Sequence, residues 1–233
     1  MPRSTFLTLL FVVLFPILSF AETDTLPSGY FSLGLKKAGI CFGNSPAYTG
    51  FRFNLMNKRI RTLNGLDLTL LDDDQDGRSN GISVGIVAKT QYRNNGLSIG
   101  GIFNAADREN GIMVGPVISG VGRLNGIGIG SVLITDTLNG MVINTLLLDR
   151  HLGDSARSLI NGMAVSVFRI DVGKINGLAI SLYNHSRAHK GLAIGAINRS
   201  TRLKGVQIGL YNVALNNPRG LRRLPFINMH FGK

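Results

Sequence analysis

From Phe51 onward, apolar residues recur in pairs two positions apart, and each pair directly follows a glycine. With that glycine as position zero, position one is Phe51, Leu66, Ile82, Leu97, Ile112, Ile127, Met141, Met163, Leu178, Leu192, Val206 and Leu221. Position three is Phe53, Leu68, Val84, Ile99, Val114, Ile129, Ile143, Val165, Ile180, Ile194 and Ile208; the last copy breaks the rule with Arg223. Apolar sites two apart, rich in Ile and Val, read as one face of a short strand. A helix would want partners three and four apart, and position four is small or polar instead: Gly85, Gly100, Gly115, Gly130, Gly195 and Gly209, otherwise mostly Asn, Ser or Thr. Position six is apolar again, from Met56 to Tyr211, so the parity switches between three and six. One extra residue is absorbed there, which requires a bulge or a corner, and glycine tolerates either. Polar stretches such as Asn184-His185-Ser186-Arg187 follow and read as turns. On this pattern positions one, three and six are expected to fill the interior, with Ile129 and Ile180 among the buried residues.

The glycines are evenly spaced. From Gly50 to Gly220 the steps are 15, 16, 15, 15, 15, 14, 22, 15, 14, 14 and 15 residues. Asn precedes the glycine in most copies: Asn64, Asn80, Asn95, Asn110, Asn125, Asn139, Asn161 and Asn176. A period that strict marks one small unit copied about a dozen times. Two all-β architectures fit. The first is a parallel β-solenoid of about twelve coils of about 15 residues, a rod near 58 Å long at about 4.8 Å per coil, with the asparagines stacked as an amide ladder. The second is an antiparallel meander with Asn-Gly as hairpin turns, closing into a β-barrel. Outer-membrane barrels want longer, strictly alternating strands and aromatic girdles. The parity break and the absence of Trp favour the solenoid.

The consensus, typified by Lys190-Gly-Leu-Ala-Ile-Gly-Ala-Ile-Asn198 and Lys204-Gly-Val-Gln-Ile-Gly-Leu-Tyr-Asn212, resembles tandem Gly-x-x-Ile-Gly-x-x-Asn repeats in a group of uncharacterised bacterial envelope proteins. The resemblance covers most of residues 50–216 and the closing Leu224-Pro-Phe-Ile-Asn228. It implies a surface or periplasmic repeat protein, and it carries over no functional residues, because its motif is structural. The copy running from Asn139 to Ile160 departs from it after Asn144.

The start of the chain changes the picture of where it works. Arg3, the apolar run Phe6 to Leu18, and Ser19-Phe20-Ala21 before Glu22 have the form of a secretory leader cleaved after Ala21. The expected organisation is a leader at 1–21, an N-terminal cap at 22–49, the repeats at 50–220 and a C-terminal cap at 221–233. The export expected from this leader would place the protein in the periplasm, at the outer membrane or on the cell surface. Its one thiol, Cys41, excludes an internal disulfide. The formal net charge of +12 favours anionic partners: acidic polysaccharide, lipopolysaccharide or a membrane surface ahead of any specific nucleic acid.

Candidate chemistry is sparse. A basic residue recurs three places before the glycine, as Arg78, Arg93, Arg108, Arg123, Lys174 and Arg202. Stacked at coil spacing, that row would present guanidinium groups to phosphates or carboxylates; the alternative is long side chains splayed into water. Asp72, Asp74 and Asp76, followed by Gly77 and Asn80, have the ligand spacing of a calcium loop, but Ser83 stands where a bidentate Glu is expected. A weak extracellular calcium loop and a solvated acidic turn both fit. His151, Asp154 and Ser155 sit together in the long step from Asp149 to Ser158, without a nucleophile elbow, and read as a surface loop. His185 and His189 fall in a predicted turn. No phosphate-binding loop, dinucleotide fingerprint or zinc spacing occurs. The reading is a non-enzymatic envelope repeat protein with a structural or binding role. An outer-membrane barrel is the alternative, and a solenoid hydrolase would need clustered carboxylates.

Overall fold

The computed structural model describes residues 29–35, 37–149 and 157–232. The expected leader and most of the 149–158 insertion, including His151, Asp154 and Ser155, lie outside the described residues. So do the side chains of Leu35 and of residues 73–75.

The chain is a parallel β-solenoid of about 11 turns. Strands follow one another in chain order: β1 (Tyr30–Leu35), β2 (Ala38–Gly43), β3 (Ala47–Asn57), β4 (Thr62–Gly100), β5 (Phe103–Leu148), β6 (Leu159–Ile180), β7 (Tyr183–Ile194), β8 (Ile197–Ala214) and β9 (Arg223–His230). Neighbours from β2 to β8 pair in parallel. Hairpins would make them antiparallel, so the barrel alternative is overturned. Where a strand breaks at a corner, it does so just after position three or four, at Gly101-Ile102, Ser181-Leu182 and Gly195-Ala196. That is where the sequence absorbs its extra residue.

Each repeat glycine lies on the glycine of the previous coil. Gly126 has φ +139, and a Cβ there would meet the carbonyl oxygen of Gly111 at 2.0 Å. Any side chain would be both strained and in collision. The ladder runs from Gly39, inside the segment read as a cap, to Gly205. Gly220 does not join it and belongs to a 3-10 turn at Arg219–Leu221. Beside the glycines, the predicted amide ladder is present. Asn80 donates to Asn64, Asn95 to Asn80, Asn110 to Asn95 and Asn125 to Asn110, at 2.7–2.8 Å. Asn139, Asn161 and Asn176 continue it at the same distances. A second, internal ladder joins Asn184, Asn198 and Asn212 at 2.7 Å. Asn198 and Asn212 also bond the carbonyls of Gly195 and Gly209, which braces the corner.

The interior is the reverse of the one expected. Position two faces inward: Arg52, Asp67, Ser83, Ser98, Met113, Val142, Ala164, Ala179, Ala193 and Gln207 are all buried. So is the residue two places before the glycine, from Tyr48 and Leu63 to Ile175, His189 and Leu203. Positions one and three face outward, and no position-six residue from Met56 to Tyr211 is buried either, against the expectation for all three. Ile129, expected in the core, is 44% exposed, and Ile180 is half-buried. The apolar core lies in the middle coils, where Met113, Val121, Leu124, Leu138, Val142, Leu147, Ile160, Ile170 and Ile175 pack together. The first coils are filled largely by polar groups. At the ends the direction of pairing reverses, with β1 antiparallel on β2 and β9 antiparallel on β8.

Candidate functional site

The basic row survives the fold. Arg93 lies directly beside Arg108 in the parallel register, and Lys174 and Arg202 flank Ala188 in successive coils. Arg78, Arg108, Arg123, Lys174 and Arg202 are exposed and Arg93 is half-buried. Arg108 reaches Asp107 at 3.6 Å, a solvated contact of little strength. Two additions were not read from the sequence. The backbone N–H of Arg78 donates to the Arg61 carbonyl at 3.3 Å, which sets an exposed arginine beside the first member. Lys190 and Lys204 occupy the place of the ladder asparagine and stack in register.

Most of the acids with described side chains go the other way, Asp76, Asp107 and Asp136 excepted. Asp67, Asp72, Glu109, Asp149 and Asp171 are buried. Among the described Lys and Arg residues, only Arg52 and Lys89 are buried. The surface is therefore more cationic than the composition alone suggests. The buried acids are held by specific donors. Asp67 accepts from Arg52 Nε at 2.8 Å and from Asn57 Nδ2 at 3.0 Å. Asp72 accepts from Lys89 Nζ at 3.3 Å and from Gln91 Nε2 at 2.9 Å. Burial pushes the Asp72 carboxyl up to about 6 against the pull of Lys89. Glu109 accepts from Asn94 at 2.7 Å and from Ser98 at 2.9 Å, and burial raises it to about 7.

The calcium residues do not form a loop, because residues 72–80 run within β4. Asp72 points into the interior pair with Lys89, and Asp76 is exposed. Asn80 is bonded on both sides within the amide ladder. Asp74 lies among the side chains outside the described residues. No group of three or more His, Cys, Asp or Glu side chains is placed to hold a metal among the described residues.

His185 and His189 are on β7 and face inward, not in a turn. Burial lowers His189 to about 4, so it is neutral. His185 Nδ1 meets Asp171 Oδ1 at 2.9 Å, and Arg169 bonds the other oxygen while lying 5.1 Å over the Tyr183 ring. Burial raises Asp171, but the bonds from His185 and Arg169 outweigh it and hold the carboxyl below its usual range. A His–Asp pair is two thirds of a nucleophilic triad. The adjacent hydroxyl, Ser186, pairs with Ser200 at 3.1 Å.

The largest surface feature is the apolar face that sequence reasoning placed inside. Position one and position three form two columns from end to end. Leu33 and Phe31 of β1 pair with Ile40 and Phe42, which lie on Phe51 and Phe53, then on Leu66 and Leu68. The columns pass through Leu97 and Ile99 onto Ile112 and Val114, and end on Met229 and Ile227 of β9. A signal for this was available. Position two changes from Arg52 to Ala193 along the chain, whereas positions one and three stay large and apolar even where the interior turns polar. No protein family, curated protein or solved structure matches this chain.

Proposed function

We propose that this chain is an exported, non-enzymatic repeat protein of the bacterial envelope that binds an anionic glycan or lipid through its basic row. The observation that carries the reading is the sorting of charge: five of the eight acids with described side chains are inside, whereas every described Lys and Arg except Arg52 and Lys89 is outside. Burying an acid against an internal donor removes it as a surface counter-charge, so the exposed field is strongly positive. A row repeated at coil spacing of about 4.8 Å matches the repeating charge of a polymer or a headgroup layer. The leader-like start and the resemblance to envelope repeat proteins support export.

Changing Arg78, Arg93, Arg108 and Arg123 together to Gln tests it. These arginines lie on the outward side of β4 and β5, three of them exposed and Arg93 half-buried, so the variant should keep its circular dichroism and melting temperature. Its retention on heparin and lipopolysaccharide should fall below that of a control losing four scattered Lys and Arg residues. Equal loss in the control would reduce the row to net charge alone. Binding should weaken as salt rises, because exposed charges are screened over about 10 Å at 0.1 M.

A further inference from the structure

The two apolar columns run without interruption for about 60 Å, taking about 4.8 Å for each step between stacked coils from β1 to β9. Many of their members are open to solvent, with Phe51 54% exposed and Ile143 45%, and others such as Leu66, Ile99 and Ile180 are half-buried. Position five adds exposed Leu55, Leu70 and Ile86 in the first coils and Val167, Leu182 and Leu210 in the later ones, with Gly101, Pro116, Ser131 and Thr145 between them. The two columns, about 7 Å apart, make a face of roughly 800 Å², above the largest apolar patch of an ordinary monomer. Between positions three and five runs a furrow with a small-residue floor. It deepens into recesses of about 440 Å³ near Ile129 and Gly130 and about 530 Å³ near Phe53 and Asn54.

The order of columns across this face is informative. The basic row stands at position minus three, the neutral asparagines at minus one up to Asn176 with Lys190 and Lys204 beyond, and the apolar columns at one and three. Alternation puts all four on the outward side. The arginines therefore lie about 13 Å from the first apolar column, with amides between. Cationic, then polar, then apolar is the sequence of environments from a headgroup layer into acyl chains.

We propose that this face docks the solenoid on an anionic lipid bilayer, the apolar columns entering the acyl boundary and the basic row meeting the headgroups. The proposal rests on the reading of the chain as a binder of anionic envelope surfaces and narrows it to lipid. Charge decides against a second copy as the occupant. Two chains of +12 repel when brought together, whereas the same charge attracts acidic lipid. A fluid acyl layer also fills the furrow, while a rigid identical face would have to match ridge to recess.

The absence of Trp supplies the experiment. Ile129→Trp places one fluorophore on the face in an otherwise Trp-free protein. With vesicles of phosphatidylglycerol and phosphatidylethanolamine, its emission should shift to the blue and be quenched by brominated acyl chains. A bound fraction should persist at 0.5 M salt. The triple variant Ile112→Thr, Ile129→Thr, Ile143→Thr, in which exposed sites keep a strand-forming residue, should bind these vesicles at least tenfold more weakly. Its circular dichroism and heparin retention should match the parent. An unshifted Trp spectrum, full release by salt, or parental vesicle binding by the triple variant would overturn the proposal. A lipid-free dimer in light scattering that the triple variant dissolves would also overturn it. Heparin retention, read on the arginine variant, separates these failures from failure of the basic row.

Discussion

The first coils and the middle coils share one backbone and differ in what they enclose. Around Arg52, Asp67, Asp72, Lys89 and Glu109 the interior is a chain of buried ion pairs and amides. Around Leu124, Leu138, Val142 and Ile160 it is hydrocarbon. The glycine and asparagine ladders cross from one region to the other unchanged. Coil geometry is therefore set by backbone stacking, and the interior residues tune stability and pH response within it.

The strongest test of that statement targets the shared element. Gly65→Ala and Gly177→Ala put a Cβ 2.3 Å and 2.0 Å from the preceding glycine's carbonyl oxygen, at φ +112 and +138. Both should destabilise by more than about 4 kcal/mol, or prevent folding, in polar and apolar regions alike. A tolerated alanine in one region would show that the ladder is not common to both. Thermal melts and soluble yield measure this.

Next in size, Asp67→Ala strands the buried Arg52 guanidinium and should cost about 3–5 kcal/mol in denaturant unfolding. The double change Arg52→Met, Asp67→Leu turns the polar interior into the other kind. It should return to parental stability or exceed it, since a buried ion pair often stabilises no more than a well-packed apolar pair. A double variant as weak as the single one would mean that the polar contents determine the coil.

The third test is a pH profile. Glu109 has a folded-state pKa of about 7 against an ordinary 4.5. Between those values the native state holds a proton that the unfolded state has released. Its contribution is therefore present below about 4.5 and lost as pH rises through about 7. Glu109→Gln removes that loss. It should be more stable than the parent at pH 8, by on the order of 3 kcal/mol, and gain nothing at pH 4. A pH-independent difference would contradict the assignment.

The smallest effects separate inside from outside. Ile129→Thr, on the exposed face, should change stability by less than about 1 kcal/mol. Val142→Thr, fully buried in the apolar coils, places a hydroxyl in hydrocarbon and should cost about 1–3 kcal/mol. Equal effects would blur the assignment of faces.

Much of this molecule is legible in its sequence. Asn-Gly recurring every 14–16 residues, with one longer step, determines the repeat, the stacked left-handed glycines and the amide ladder, because each depends on residues at equivalent positions of adjacent coils. The corner also follows from local pattern, since the extra residue between positions three and six must be absorbed somewhere. Period-two alternation, however, tells which residues share a face and not which face is inside. With two apolar-compatible faces, the tertiary structure alone made the choice. It put position two and the residue two before the glycine inward, because there the polar groups of the first coils pair with one another and the Leu, Ile and Val side chains of the middle coils pack together. It left the apolar side chains of positions one and three outside, along with the basic row. The same winding brought Asp67 to Arg52 and Asp72 to Lys89 from separate coils, across sequence distances that no local pattern encodes.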